Sequence, residues 1–248
     1  MNAIYILWLR QLKRHFRSKP RMIGSLGQPL LFLLALGFGF GPIYQRASGG
    51  NYLEFLAPGS VAMSVLFTAR FAGLETIWDR QFGFLKETLV APVSRFNIML
   101  GRTFGGATVA VFQGIIVMII SVPFGFRFNI VYLPLAIIFM IIIAILFTAI
   151  GTAIASLLDD MHAFSLIMNF LIMPLFFLSG ALFPLDGFPP AVRAITSANP
   201  LTYGVDGLRV ALTTATIHAG ILNDFAVLLV FTLVFLGIGS YLFSRVQV

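Results

Sequence analysis

Residues 130–157 run without one Asp, Glu, Lys, Arg or His. Few structures can accommodate such a stretch. In hydrocarbon no water satisfies peptide N–H and C=O groups, so a lipid-exposed run of this kind must be helical. About 20 residues at 1.5 Å each cross about 30 Å of hydrocarbon. Comparable apolar runs recur at about 22–41, 55–78, 102–123, 163–183 and 224–243, so the sequence predicts six transmembrane helices. Over 248 residues, 59% are hydrophobic and only 10% charged, whereas soluble domains carry about a quarter charged. The expected fold is therefore an all-α integral membrane protein, a single domain over 1–248.

The polar segments between these runs set the orientation. Arg10, Lys13, Arg14, Arg17, Lys19 and Arg21 precede the first run, and Arg80, Lys86, Arg95 and Arg102 fall between the second and third. With Arg245 they outnumber Arg46, Arg127, Arg193 and Arg209 on the other side. Positive charge accumulates on the cytoplasmic side, so both termini are expected inside. Residues 1–21 read as an amphipathic interfacial helix retained in the protein: Tyr5, Leu9, Leu12 and Phe16 form an apolar stripe, with Arg10, Lys13, Arg14 and Arg17 opposite. The pI near 10.3 is thereby explained at the membrane surface, with no nucleic-acid partner.

Several chemistries are excluded or unsupported. The chain has no cysteine, which rules out disulfides and thiol catalysis. None of Lys13, Lys19 and Lys86 stands in a phosphate-binding loop, and no H-E-x-x-H or G-x-S-x-G occurs. His15, His162 and His218 are scattered without ligand spacing. The chain therefore reads as a non-enzyme that binds no metal or cofactor itself. Ionisable residues at mid-span usually mark ion or proton relays. Their scarcity disfavours ion-coupled transport.

Two kinds of polar position remain. Ser60, Ser64, Thr68 and Glu75 share a face of the second span, as do Ser165, Asn169 and Phe176 in the fifth; Gln28 and Gln113 are isolated amides. Ser64, Thr68, Gln113, Asn169 and Phe176 are candidates for a pathway or a subunit seam, or alternatively for helix–helix hydrogen bonding. Gly101-x-x-x-Gly105 is a candidate for close helix packing. In residues 80–100, Phe82, Leu85, Leu89 and Val93 lie on one stripe of a short amphipathic helix. Pro92 cannot continue that helix, and Ser94 is placed to cap the next.

The stretch DRQFGFLKETLVAPVSR, through Arg80, Gly83, Glu87, Leu89, Pro92, Val93, Ser94 and Arg95, resembles the segment between spans two and three of type-2 ABC exporter permeases. Upstream, YLEFLAPGSVAMSVLF with Pro58-Gly59 is similar to that family's second span. Downstream, FLSGALFPLDGFPPAVRAITSANPLTYGVDGLR resembles the outer segment of its drug, antibiotic and nodulation-factor exporters. Phe82 and Phe84 depart from the small or polar residues usual beside the glycine.

The resemblance implies a permease working as a homo- or heterodimer in a prokaryotic inner membrane. Each copy would bind a cytoplasmic ATPase subunit that carries ATP and Mg. It implies a coupling helix using Phe84, Leu85, Glu87, Leu89 and Pro92. It also implies a re-entrant outer helix pair within 184–222, at about 190–197 and 201–213. Pro184, Asn199, Pro200, Asp206 and Arg209 would form the outer gate. The cargo would be amphipathic or lipid-linked. The competing readings are an ion-coupled secondary transporter and a non-transport membrane assembly protein.

Overall fold

The computed structural model describes residues 3–48, 50–213 and 220–246, all helix and connecting turns with no strand among them. His218, and with it residues 214–219 of the outer segment, lies outside the described residues. Eleven α-helices follow in order: α1 Ala3–Arg17, α2 Lys19–Ser48, α3 Tyr52–Ala69, α4 Phe71–Gln81, α5 Phe84–Val90, α6 Arg95–Ser121, α7 Leu133–Leu157, α8 Met161–Phe177, α9 Pro190–Ser197, α10 Pro200–Leu212 and α11 Ile221–Ser244. Five segments are long and apolar enough to span a membrane: α2, the near-continuous α3–α4, α6, α7 and α11. The sixth expected span corresponds to α8, which has only 17 residues. Pro174 lies in its last turn, and the chain turns at Gly180, which has φ +75°.

The second span forms the centre. α3 is almost entirely buried, including its face of Ser60, Ser64 and Thr68, as expected of a helix surrounded by others. α6, α7 and α10 pack around it. Small residues let the backbones approach. A Cβ on Gly73 would fall 2.4 Å from the Gly151 carbonyl oxygen of α7, and one on Gly59 would fall 2.1 Å from that of Ala181. Without an apolar drive between helices in lipid, such close packing is a main source of association. α2 and α11 sit at the periphery, with Ile23, Leu31, Phe38, Ile43, Leu222 and Leu233 exposed.

α1 differs from its expected role. It does not merely lie on a surface; it docks against α6. Ile4, Leu7, Trp8 and Gln11 meet α6 at Gly101 and Gly105, where any side chain would collide with them. Trp8 Nε1 donates to Thr108 Oγ1 at 3.0 Å. Tyr5 and Phe16 of the expected stripe stay exposed beside this docking face. Two-sided patterning could not reveal it, because it uses a third face of the helix, between the apolar and basic ones.

Candidate functional site

At the Gln81 end of the second span, labelled inner for the expected orientation, with the Tyr52 end labelled outer, the structure gathers charges distant in sequence. Asp79, 3% exposed, accepts from Arg10 Nη2 at 3.1 Å, from Arg14 Nη1 at 3.2 Å and from Arg102. Glu75 accepts from Arg21 Nη1 at 2.7 Å. Arg14 and Arg21 also lie over the Trp78 ring, at 5.3 and 5.2 Å. Four arginines from α1, α2 and α6 thus converge on two carboxylates of α4. Buried charges are tolerated only when paired in this way. Burial pushes the His15 imidazole of α1 below its ordinary value.

The turn after α4 is wired to its surroundings. Arg80 donates to the Leu158 carbonyl at 3.2 Å and pairs with Asp159; Gln81 Nε2 donates to the Asp159 carbonyl at 2.9 Å. Gly83 adopts φ +78°, a conformation that favours glycine, and reverses the chain into α5. α5 ends at Val90, and Ser94 Oγ accepts from the Asn97 N–H to start α6. Arg95 Nη1 donates to the Val246 carbonyl at 2.9 Å beyond α11. Leu85 is buried among Ile98, Met99, Ala149, Phe243 and Val246, with Leu89 and Val93 against the same cluster.

The expected contact stripe is therefore divided. Leu85 and Leu89 anchor α5 to its own chain. The outward face consists of Phe82 (70% exposed), Phe84 (50%) and Val90 (85%), with Glu87 and Pro92 also exposed. Arg10 lies 5.6 Å over the Phe84 ring, so α1 touches this face. Phe82 and Phe84, odd beside a glycine in sequence, supply its apolar surface.

Of the five span positions singled out, four are covered by the chain itself. Ser64 and Thr68 are buried in the packing of α3, and Phe176 meets Phe32 and Phe67 edge-on. Gln113 Nε2 donates to the Met22 carbonyl at 3.0 Å and to Ser25 Oγ at 2.8 Å, joining α6 to α2. Only Asn169 is exposed, and it accepts from Arg70. Arg70 is legible in the sequence as an arginine inside the second span, although nothing there pairs it with Asn169.

At the outer end, Asn199 caps α10 by accepting from the Leu201 N–H, and its Nδ2 donates to the Leu175 carbonyl at 2.7 Å. Arg209 Nη2 donates to the Gly180 carbonyl at 2.7 Å. Its guanidinium stacks 4.0 Å over Phe55 and lies 4.0 Å from Asp206. Pro184, Asp206 and Arg209 line a cleft of about 460 Å³ that also takes in Tyr203 and Asp224. Asn199 and Pro200 are buried at the start of α10.

The sequence of this helical bundle matches a known family over most of its length. Residues 2–213 match the ABC-2 type transporter family. The chain belongs to that family. It is 31% identical over 219 residues to a protein of Cyanophora paradoxa named as a transport permease, ycf38, covering 84% of this chain and 73% of that one. Nodulation protein J of Rhizobium leguminosarum bv. viciae is 27% identical over 209 residues, covering 82% and 80%. The inner membrane transport permease YadH of Escherichia coli K12 is 28% identical over 244 residues, covering 94% and 91%. This ABC-2 protein is thus an integral membrane permease of an ABC transporter. Permeases of the family generally partner with cytoplasmic ABC ATPase subunits.

Proposed function

We propose that this permease is the membrane subunit of an ATP-driven exporter. Two permease copies form the pathway, and a separate ATPase docks on the α5 turn of each. α8 with residues 178–183 completes six spans, with both termini cytoplasmic. The observation that carries this reading is the α5 turn. Its inner residues are tied to α1, α6, α7 and α11, while Phe82, Phe84, Glu87 and Val90 face outward. A segment that only connected two spans would gain nothing by exposing phenylalanines on a braced support. A segment receiving force from a partner needs both features. A small exposed apolar patch rimmed by charge suits a protein partner. The chain has no phosphate-binding loop of its own, so nucleotide hydrolysis falls to that partner.

The test is co-purification of the full-length chain with a candidate ATPase, followed by Glu87→Arg. Glu87 is exposed and forms no hydrogen bond or ion pair among the described residues, so the variant should fold. Reversal of a charge at a docking rim is expected to weaken ATPase binding about tenfold, or 1.4 kcal/mol. If binding and stimulation of ATP hydrolysis survive the reversal and a Phe84→Ala change, α5 is not the docking site.

A further inference from the structure

Arg70 stands apart from the other arginines at the inner end. It lies within the spanning segment Tyr52–Gln81, about 27 Å from Tyr52 at 1.5 Å per residue. Against about 30 Å of hydrocarbon, that depth is the inner edge of the membrane core. Arg10, Arg14, Arg21 and Arg102 have carboxylate partners on Asp79 and Glu75; among the described residues Arg70 forms no ion pair. Its partners are neutral: Asn169 accepts one N–H, and the Phe67 and Phe71 rings lie 5.1 and 5.4 Å from its guanidinium carbon. None of these cancels its charge.

An ionisable residue within a spanning segment marks a candidate functional position. The surroundings indicate which function. Arg70, Ser165 and Asn169 give a small cleft between α4 and α8 its polar rim, while Phe71, Leu74, Phe164 and Met168 form its walls. A guanidinium has five N–H donors in a fork that fits phosphate and carboxylate oxygens, and Asn169 takes only one. Asn169 is the one exposed member of the sequence-predicted pathway positions, and next to it Phe170 is 84% exposed. The cleft thus offers a positive, donor-rich pocket at headgroup depth, beside an apolar surface.

We propose that Arg70, oriented by Asn169, binds the anionic headgroup of the cargo at the cytoplasmic mouth of the pathway. The substrate class is then an amphipath bearing a phosphate, sulfate or carboxylate. This rests on the export reading above, but its test does not require the ATPase.

The cysteine-free chain permits a direct probe. A Ser165→Cys variant of the full chain, in phosphatidylcholine vesicles, is alkylated with a thiol reagent in the presence of dodecyl phosphate, dodecyltrimethylammonium or dodecyl maltoside. Dodecyl phosphate should protect the thiol at concentrations at least about tenfold lower than the other two. Arg70→Lys should keep that preference. Arg70→Gln should abolish it, and so should Asn169→Asp, which leaves the arginine in place but neutralises it. Equal protection by all three amphiphiles overturns the proposal, as does a preference that survives both Arg70→Gln and Asn169→Asp. Protection by phosphatidylglycerol vesicles alone, with nothing added by dodecyl phosphate, also overturns it, because Arg70 then serves the lipid interface. An anion preference without ATPase docking would leave the anion site at Arg70 standing while the export reading, and with it the identity of the anion as cargo, falls. Docking without the preference would do the reverse.

Discussion

The two ends of the central span are held by different forces. At the inner end, Asp79 and Glu75 collect arginines from α1, α2 and α6. At the outer end the ties to the turn at residues 178–183 are mostly neutral: Tyr52 Oη donates to the Leu182 carbonyl at 2.9 Å, Gly59 abuts Ala181, and the charged Arg209 donates to the Gly180 carbonyl. Paired buried charges bind several helices at once and fail together when one partner is lost. Neutral hydrogen bonds and close contacts fail one at a time, at about 1 kcal/mol each. The inner end is therefore built as a rigid block beneath α5. The outer end is built from separable contacts.

The largest expected effect lies in the inner block. Asp79→Ala leaves Arg102, itself 3% exposed, without its carboxylate, frees Arg10, and leaves Arg14 with Glu75 alone. Removing one partner from a buried charge cluster costs about 3–5 kcal/mol. The expected outcome is a large fall in the melting temperature in detergent, together with protease cleavage within α1. Intact α1 protection in this variant would show that the Gly101–Gly105 seat alone holds the helix.

A smaller effect is expected from Gly59→Ala at the outer end. The added methyl meets a backbone carbonyl that cannot rotate away, and overpacking of this kind costs about 1–3 kcal/mol. α1 should stay protected, while exchange of the amides at residues 180–182 rises. Loosening at both ends would mean that the two are coupled through α3.

The smallest expected effect separates the two ends by pH. Asp160 caps α8 by accepting from the His162 and Ala163 N–H groups, and these bonds hold its carboxyl below the ordinary value of 3.8. The fold therefore favours the charged form. Its contribution is complete above the ordinary value and fades as pH falls below it. Asn199 caps α10 without a titrating group. Acidification from about pH 5 to pH 3 should lower the protection of the Ala163 and His162 amides, measured against their intrinsic exchange rate at each pH, and leave the protection of Leu201 unchanged. Equal change at both caps would point to general acid loosening rather than to Asp160.

Much of this molecule was legible in its sequence. Apolar runs of membrane-crossing length marked the spans, because a backbone in lipid must satisfy itself. Pro92 and Ser94 marked the end of α5 and the start of α6 through local chain chemistry, which depends only on neighbours. Gly101 and Gly105 marked a close helix contact, although not with which helix. The site was less legible. Periodicity places Leu85 and Phe82 on one stripe, yet Leu85 is buried and Phe82 exposed, because Phe82 caps α4 and Gly83, at φ +78°, breaks the helix between it and α5.

What the sequence determined by itself was the solvent and the secondary structure: lipid, and helices of about the right length. Only the tertiary structure decided which charges meet. Asp79 and Arg10 lie 69 positions apart, and Arg70 and Asn169 lie 99 apart. Helical periodicity reaches about one turn, whereas pairing in a membrane depends on which helices pack together and at what depth. For that reason Asp79 became the keystone of a buried cluster, while Arg70, nine residues earlier on the same span, kept its charge without a carboxylate.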